Sequence, residues 1–335
     1  MRLRTTATAA VVLALLAAIG LATPAHAQDG DVAWTVRTAS NSYGSDRSSY
    51  SYAVNPGGQV KDAMVVANRG KDPLTLAVYA GDGFTTGTGQ LDLLTKDKKS
   101  IGIGAWLHAG GATVTVAPGQ SAEVPFTLDV PGNATPGDYA GGVVTALAQP
   151  DQAQGITVER RLGIAIKLRV GGALHPALAV ERLAVHFDGG DAAVTYTIHN
   201  TGNAILSADQ DVSVAGPFGL LRTGAGTVQA PPQLLPGETW QVTVPVHGVP
   251  RAGWLTARAS LTPRLTDASG STTSLPVVTA EARTVVVPWL WLAGLLVLIG
   301  LVFLIRYLLR RTKSRQDARV REAVEKALQA GGVTA

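Results

Sequence analysis

Five side chains in the first half of the sequence have the chemistry to hold a carbohydrate without a covalent bond. The aromatic faces of Tyr79, Trp106 and Tyr139 suit sugar rings, and the carboxylates of Asp82 and Asp138 can accept hydrogen bonds from hydroxyls and amides. All five fall at strand ends or in loops, where a β-sandwich exposes binding groups. A bland reading stands beside this one: large aromatics dominate sandwich interiors and corners, and Asp138 also fits a simple Pro136-Gly137-Asp138 turn. No catalytic constellation accompanies them. His108, His175, His186, His199 and His247 form neither HExxH nor a closely paired metal spacing, and no serine sits in a G-x-S-x-G elbow. Asp188-Gly189-Gly190-Asp191 lacks the regular oxygen-ligand ladder of a calcium loop and reads as a hairpin turn. The sequence therefore calls for no catalytic residue, no metal and no cofactor.

The elements that would position these groups are strands. Val60, Asp62, Met64 and Val66 alternate with Lys61, Ala63, Val65 and Ala67, and the turn Asn68–Pro73 leads into Leu74–Ala80, a hairpin-like unit. Val124, Phe126, Leu128 and Val130 alternate with Glu123, Pro125, Thr127 and Asp129, a half-buried strand in which Pro125 argues for an edge. Tyr139–Leu147 and Ile156–Val170 are further strands around a polar tip at Gln149–Gly155. Two stretches lack periodicity: Thr38–Ser51, rich in Ser and Tyr and read as an exposed loop, and Gly81–Gly104, read as a long decorated connection.

The second half repeats the order of the first. A strand ending in Asn68-Arg69-Gly70 has its counterpart in Asn200-Thr201-Gly202, and Ala117-Pro118-Gly119 corresponds to Leu235-Pro236-Gly237, each before an alternating strand. Short strands with turn signals every 8–12 residues point to an all-β ectodomain of two tandem immunoglobulin-like β-sandwiches, here spanning 28–172 and 173–284. The chain contains no cysteine, so each sandwich must hold by its core alone.

Val285–Ile305 is long and apolar enough to cross a bilayer as a helix. Trp289 and Trp291 lie near its start, and Arg306, Arg310, Arg311, Lys313 and Arg315 crowd its end, which places 306–335 as a basic cytoplasmic tail. Arg2 and Arg4, the apolar run Ala7–Ala22 and Ala25-His26-Ala27 have the parts of a secretory signal peptide over 1–27. The formal charge of +4 belongs to these flanks. Eight basic residues against three acids lie beyond Ile305, and the outer region keeps 18 against 21. Nothing favours nucleic acid as a partner. The expected location is the cell membrane, single-pass, with both sandwiches outside. Membrane lipid would be met by the span and the basic tail, in which Arg315–Gln329 reads either as a short amphipathic helix on anionic lipid or on a partner, or as an ordinary solvated end.

In the stretch Val116–Val144, VAPGQSAEVPFTLDVPGNATPGDYAGGVV, together with NPG at Asn55–Gly57, VVANRGKDPLTLAVYAGD at Val65–Asp82 and IGAW at Ile103–Trp106, the chain resembles the WxL-interacting proteins of bacterial surfaces. The resemblance covers roughly 32–170, and the second domain matches it in layout only. It implies a peptidoglycan-binding first domain and a second domain engaging other cell-surface proteins, so the expectation is non-catalytic tethering of membrane to wall. An adhesin-like or assembly protein, pairing through a sheet edge without glycan affinity, is the alternative.

Overall fold

Asn68 and Asn200, the two strand-ending asparagines of the repeat, are both buried, and each turns the chain from one sheet to the other. The computed structural model in which this is seen describes residues 33–151, 156–188, 190–249, 253–267, 270–286 and 289–331. The expected signal peptide, and residues 152–155 of the hairpin tip, lie outside these. The chain divides into two compact units, one of Met1–Phe84 with Leu91–Gly172 and the other of Thr85–Gln90 with Ala173–Ala335.

The first unit contains β1 (Trp34–Thr38), β2 (Tyr50–Val54), β3 (Gln59–Asn68), β4 (Leu74–Thr85), β5 (Leu91–Leu93), the single helical turn α1 (Ile103–Trp106), β6 (Leu107–Ala109), β7 (Thr113–Val116), β8 (Ser121–Asp129), β9 (Gly137–Asp151) and β10 (Ile156–Val170). One sheet runs β1-β3-β8-β6; the other runs β2-β10-β9-β4-β5, with β7 also on β4. Between them Met64, Leu76, Ile103, Leu128, Ile166 and Leu168 are almost wholly buried. In place of a disulfide, a polar link joins the sheets: the buried Trp34 Nε1 donates to Thr145 Oγ1 at 2.9 Å, and that hydroxyl donates to the Leu162 carbonyl at 3.0 Å.

Three expectations are corrected here. The hairpin-like unit is not a hairpin, because β3 and β4 lie in opposite sheets. Asn68 makes the crossing: Nδ2 donates to the carbonyls of Asp72 and Val116 at 2.8 and 2.9 Å, and Oδ1 accepts from Gly70 N at 2.8 Å. A strand need not fold back on its partner when one side chain satisfies the corner's backbone groups. Pro125 is not on an edge strand, since β8 lies between β3 and β6. Its carbonyl accepts from Gly110 N at 2.8 Å, on the β6 side where that short strand ends. In an antiparallel ladder a residue's N–H and C=O share a side, so the missing N–H removes no bond to β3. The Gly81–Gly104 connection is also partly ordered: Gly81 and Asp82 continue β4, and β5 pairs beside it.

The second unit contains β11 (Leu178–Asp188), β12 (Asp191–Asn200), β13 (Leu206–Ala215), β14 (Thr223–Gly224), β15 (Thr239–Val246), β16 (Trp254–Thr266), β17 (Thr272–Ser274) and β18 (Val278–Val285). Its sheets run β11-β12-β15 and β14-β13-β16-β17, with β18 also on β16. Asn200 repeats the corner, with Nδ2 donating to Ala204 and Leu234 carbonyls at 2.8 and 2.9 Å and Oδ1 accepting from Gly202 N at 3.1 Å. The shared turn grammar is thus one structural device used twice. Asn200→Ala should lower the stability of this unit by about 2 kcal/mol, because two buried carbonyls lose their donors; chemical denaturation of the second unit measures it.

The apolar C-terminal run is helical. Helix α2 (Trp289–Gly331) is 43 residues long, and its Leu292–Arg311 window has mean hydropathy 2.5 with none of it buried in the protein. The start expected at Val285 is moved: Val285 is the last residue of β18. The basic tail continues the same helix to Gly331, so no separate amphipathic helix begins at Arg315.

Candidate functional site

The glycine-rich IGIGAW stretch owes its shape to Asp82. From its place in β4 the carboxylate accepts from the backbone N–H groups of Ile101 at 2.6 Å, Gly102 at 2.9 Å and Gly104 at 2.7 Å, while Asp82 N donates to Ser100 Oγ at 3.1 Å. A carboxylate collecting unpaired N–H groups in front of a helical turn is a strong, charge-assisted anchor. It fixes α1 against β9 and delivers Trp106 onto Tyr139, with ring centroids 4.8 Å apart and planes inclined at 57°. Both rings are half-buried and pack on the core, and the Tyr139 hydroxyl donates to the Thr135 carbonyl at 2.9 Å.

Glycine is required by space here. A Cβ on Gly141 would lie 2.6 Å from Ile103 Cβ and 2.8 Å from the Gly81 carbonyl, and one on Gly104 would lie 2.8 Å from Asp82 N. Gly141→Ala should cost about 2 kcal/mol by forcing α1 off β9, and should loosen the Trp106–Tyr139 contact, readable in near-UV circular dichroism.

Of the five residues singled out in the sequence, the structure brings Asp82, Trp106 and Tyr139 together and sets the other two apart. Tyr79 is buried in a separate cluster with Val144, Ala146 and Leu93. Asp138 pairs across the strands with Arg169, Nε to Oδ1 at 2.6 Å and Nη2 to Oδ2 at 2.8 Å. Alternation puts that pair on the face of β9 opposite Tyr139. Asp82 and Asp138 thus serve backbone and guanidinium groups of the protein itself. Trp106 and Tyr139 remain as a half-exposed aromatic pair on a stiff support.

A larger polar cluster escaped the sequence reading. Asp62, whose side chain is wholly buried, accepts from Arg47 Nη1 at 2.7 Å and Nη2 at 3.1 Å, Asn41 Nδ2 at 2.6 Å, the Tyr52 hydroxyl at 2.6 Å and Ala63 N at 2.7 Å. Arg47 also donates to the Ala39 carbonyl at 2.8 Å and lies over the Tyr50 ring, 5.2 Å from its centroid. Burial alone would raise the Asp62 carboxyl, but the hydrogen bonds from Arg47, Tyr52, Ala63 and Asn41 outweigh it and hold the group below the usual carboxylate range. Burial first, then the neighbouring Asp62 charge, pushes the Tyr50 hydroxyl up; for Tyr52 burial is again first, with its hydrogen bond to Asp62 next. The stretch expected to be an exposed loop is therefore tied down between β1 and β2. The signal was present: Asp62 falls on the apolar face of the β3 alternation.

Among the described residues no group of three or more His, Asp or Glu is placed to hold a metal ion. No family model matches this chain, and no curated protein matches it. Solved structures similar to it include a chain of the chaperone–tip adhesin complex of CFA/I fimbriae biogenesis, 10% identical over 76% of this chain and 99% of that one with a TM-score of 0.37. The class 5 fimbriae chaperone CfaA is 11% identical over 76% of this chain and 100% of its own, with a TM-score of 0.35. A chain of the CsuC–CsuE chaperone–tip adhesion subunit complex from Acinetobacter baumannii is 11% identical over 73% and 97%, with a TM-score of 0.36.

Proposed function

We propose that this is a non-catalytic protein of the bacterial cell envelope, anchored in the membrane by α2, whose first unit captures a protein partner by accepting an extended segment along β10. The observation behind this is an open edge. Strand β10 is 15 residues long, but β2 pairs only with Ile166–Val170, so among the described residues no strand pairs with Ile156–Ala165 on the side away from β9. Such an edge is a template for an incoming strand, with hydrogen bonds for affinity and alternate side-chain positions for selection. The charges of Glu159, Arg160 and Arg161 keep it from pairing with copies of itself.

A second reading has its own observation. The Trp106–Tyr139 pair, braced by Asp82, is a preformed aromatic surface suited to a sugar ring, and the resemblance to WxL-interacting proteins suggests peptidoglycan as its ligand. The two readings separate in one set of experiments. A photo-cross-linking residue at Val158, exposed on the β9–β10 hairpin, should trap a discrete protein in intact cells, and one at Lys61 on the interior strand β3 should not. If Val158 traps nothing, while residues 28–283 sediment saturably with stripped peptidoglycan and Trp106→Ala abolishes this, wall binding replaces strand capture.

A further inference from the structure

The loop that follows β13, Gly216-Pro217-Phe218-Gly219-Leu220-Leu221-Arg222, breaks two rules at once. Phe218, Leu220 and Leu221 are 86%, 64% and 70% exposed, although each is large and apolar. Phe218 and Leu221 also hold positive φ, 59° and 54°, where a bulky side chain is costly and glycine would be the easier choice. Backbone hydrogen bonds from Gly216 N to the Leu220 carbonyl at 2.8 Å and from Leu220 N to the Pro217 carbonyl at 3.1 Å keep the loop in that form. Its fold thus displays these side chains at a conformational cost.

Strand register tells where the loop points. Ala215 at the end of β13 pairs with Thr256, Trp254 at the start of β16 pairs with Val285, and Val286 N donates to the Gly253 carbonyl at 2.9 Å. The loop, Trp254 and the exit of β18 therefore share one rim of the second unit. Helix α2 starts at Trp289, three residues past Val286, a reach of at most roughly 10 Å of chain. However the helix tilts, that rim is the end nearest the bilayer.

The rim is graded in polarity as an interface is. Phe218 meets Trp254 edge to face, centroids 5.3 Å apart, and Trp254 and Val285 are 41% and 75% exposed. One pair further from the rim stands Arg283 opposite Thr256, and the next holds Arg258 opposite Glu281, about 7 Å per step. Arg222 donates to Ser213 Oγ at 3.1 Å on the same face. Its pairing with Asp211 and that of Arg258 with Glu281 are long, 3.7 and 3.8 Å, and exposed, so three guanidiniums face two loosely held carboxylates. Apolar tips outermost with arginines a short step behind is the order that places side chains in acyl chains and cations at phosphates.

The geometry points to a second membrane contact, in which Phe218, Leu220, Leu221 and Trp254 insert into the outer interface of the same bilayer that α2 spans, with Arg222, Arg258 and Arg283 against lipid phosphates. The contact rests on α2 being a span. It would hold the second unit down on the membrane instead of leaving it to swing on the chain before α2.

Because the chain has no cysteine, one label can be placed cleanly. Full-length Phe218→Cys, Leu221→Cys and, at the far end of β16, Ser274→Cys would each carry an environment-sensitive fluorophore in vesicles of phosphatidylcholine and phosphatidylglycerol. Labels at 218 and 221 should emit to the blue, resist iodide and be quenched several-fold more by lipids spin-labelled near the headgroup than the label at 274. Co-flotation with vesicles, but iodide access and lipid quenching equal to those at 274, overturns the loop contact while leaving the span intact. Shielding at 218 and 221 that persists in detergent micelles without quenching by labelled lipid means protein covers the loop, and also overturns it. Failure to co-float removes the span and the contact together.

Discussion

Asp62→Ala should destabilise the first unit by about 3 kcal/mol, because it leaves the half-buried Arg47 guanidinium without its counter-charge and strips four donors of a buried acceptor. Arg47 Nε has no hydrogen-bond partner among the described residues, so without Asp62 the guanidinium keeps only neutral partners: the Ala39 carbonyl, Asn41 Oδ1 at 3.3 Å, and the Tyr50 and Tyr43 rings. Tyr52 and Asn41 lose their acceptor as well. Unfolding by denaturant, followed on a first unit from Gln28 to Gly172, measures the loss. The double variant Asp62→Leu with Arg47→Met should be less destabilised than the sum of its singles, since no buried charge remains unpaired. The acid dependence follows from the same group. Its folded pKa is depressed, so its contribution is complete above the unfolded carboxylate value of about 4 and is lost as pH falls through the folded value. Asp62→Asn should flatten the stability profile below about pH 4 and leave its slope at neutral pH unchanged.

Strands were legible because their sides alternate, and corners because asparagine, proline and glycine announce them. The repeat of Asn-x-Gly with Pro-Gly marked a turn at the same place in both units; that the turn is a corner built on a buried asparagine is visible only in the structure. What alternation does not carry is sheet membership: nothing in Val60–Ala80 distinguishes a hairpin from a crossing, and the difference lies in the two carbonyls, one of them 48 residues away, that Asn68 reaches. The same limit applies to the site. Asp82, Asp138 and Tyr79 have the chemistry of ligand groups, yet their partners are backbone amides, Arg169 and a small apolar cluster, all set by tertiary register. Arg47 shows the converse, a residue in an unpatterned polar stretch that becomes the counter-ion of a core carboxylate. The apolar loop at Phe218 stayed unread because three large side chains without periodicity do not separate core from surface until exposure is known.

Asp82→Ala should cost about 3 kcal/mol and, before any ligand is added, release the Ile101, Gly102 and Gly104 amides to hydrogen exchange. All three donate to this one carboxylate, and alanine offers no acceptor in its place. Asp82→Asn, with one carbonyl oxygen replacing two charged ones, should fall between the wild type and alanine. The pattern separates two roles that binding data alone would merge. A ligand-contacting carboxylate would lose affinity when replaced and leave stability and amide protection unchanged. A carboxylate that braces α1 would lose protection and stability first, and any affinity at Trp106 and Tyr139 would fall because the rings no longer hold their 4.8 Å contact. Trp106→Ala supplies the complement: it removes the half-exposed ring while Asp82 keeps its three amides, so exchange at Ile101, Gly102 and Gly104 should stay slow. If instead Asp82→Ala left those amides protected and abolished wall binding, the carboxylate would belong to the ligand and the brace would be wrong.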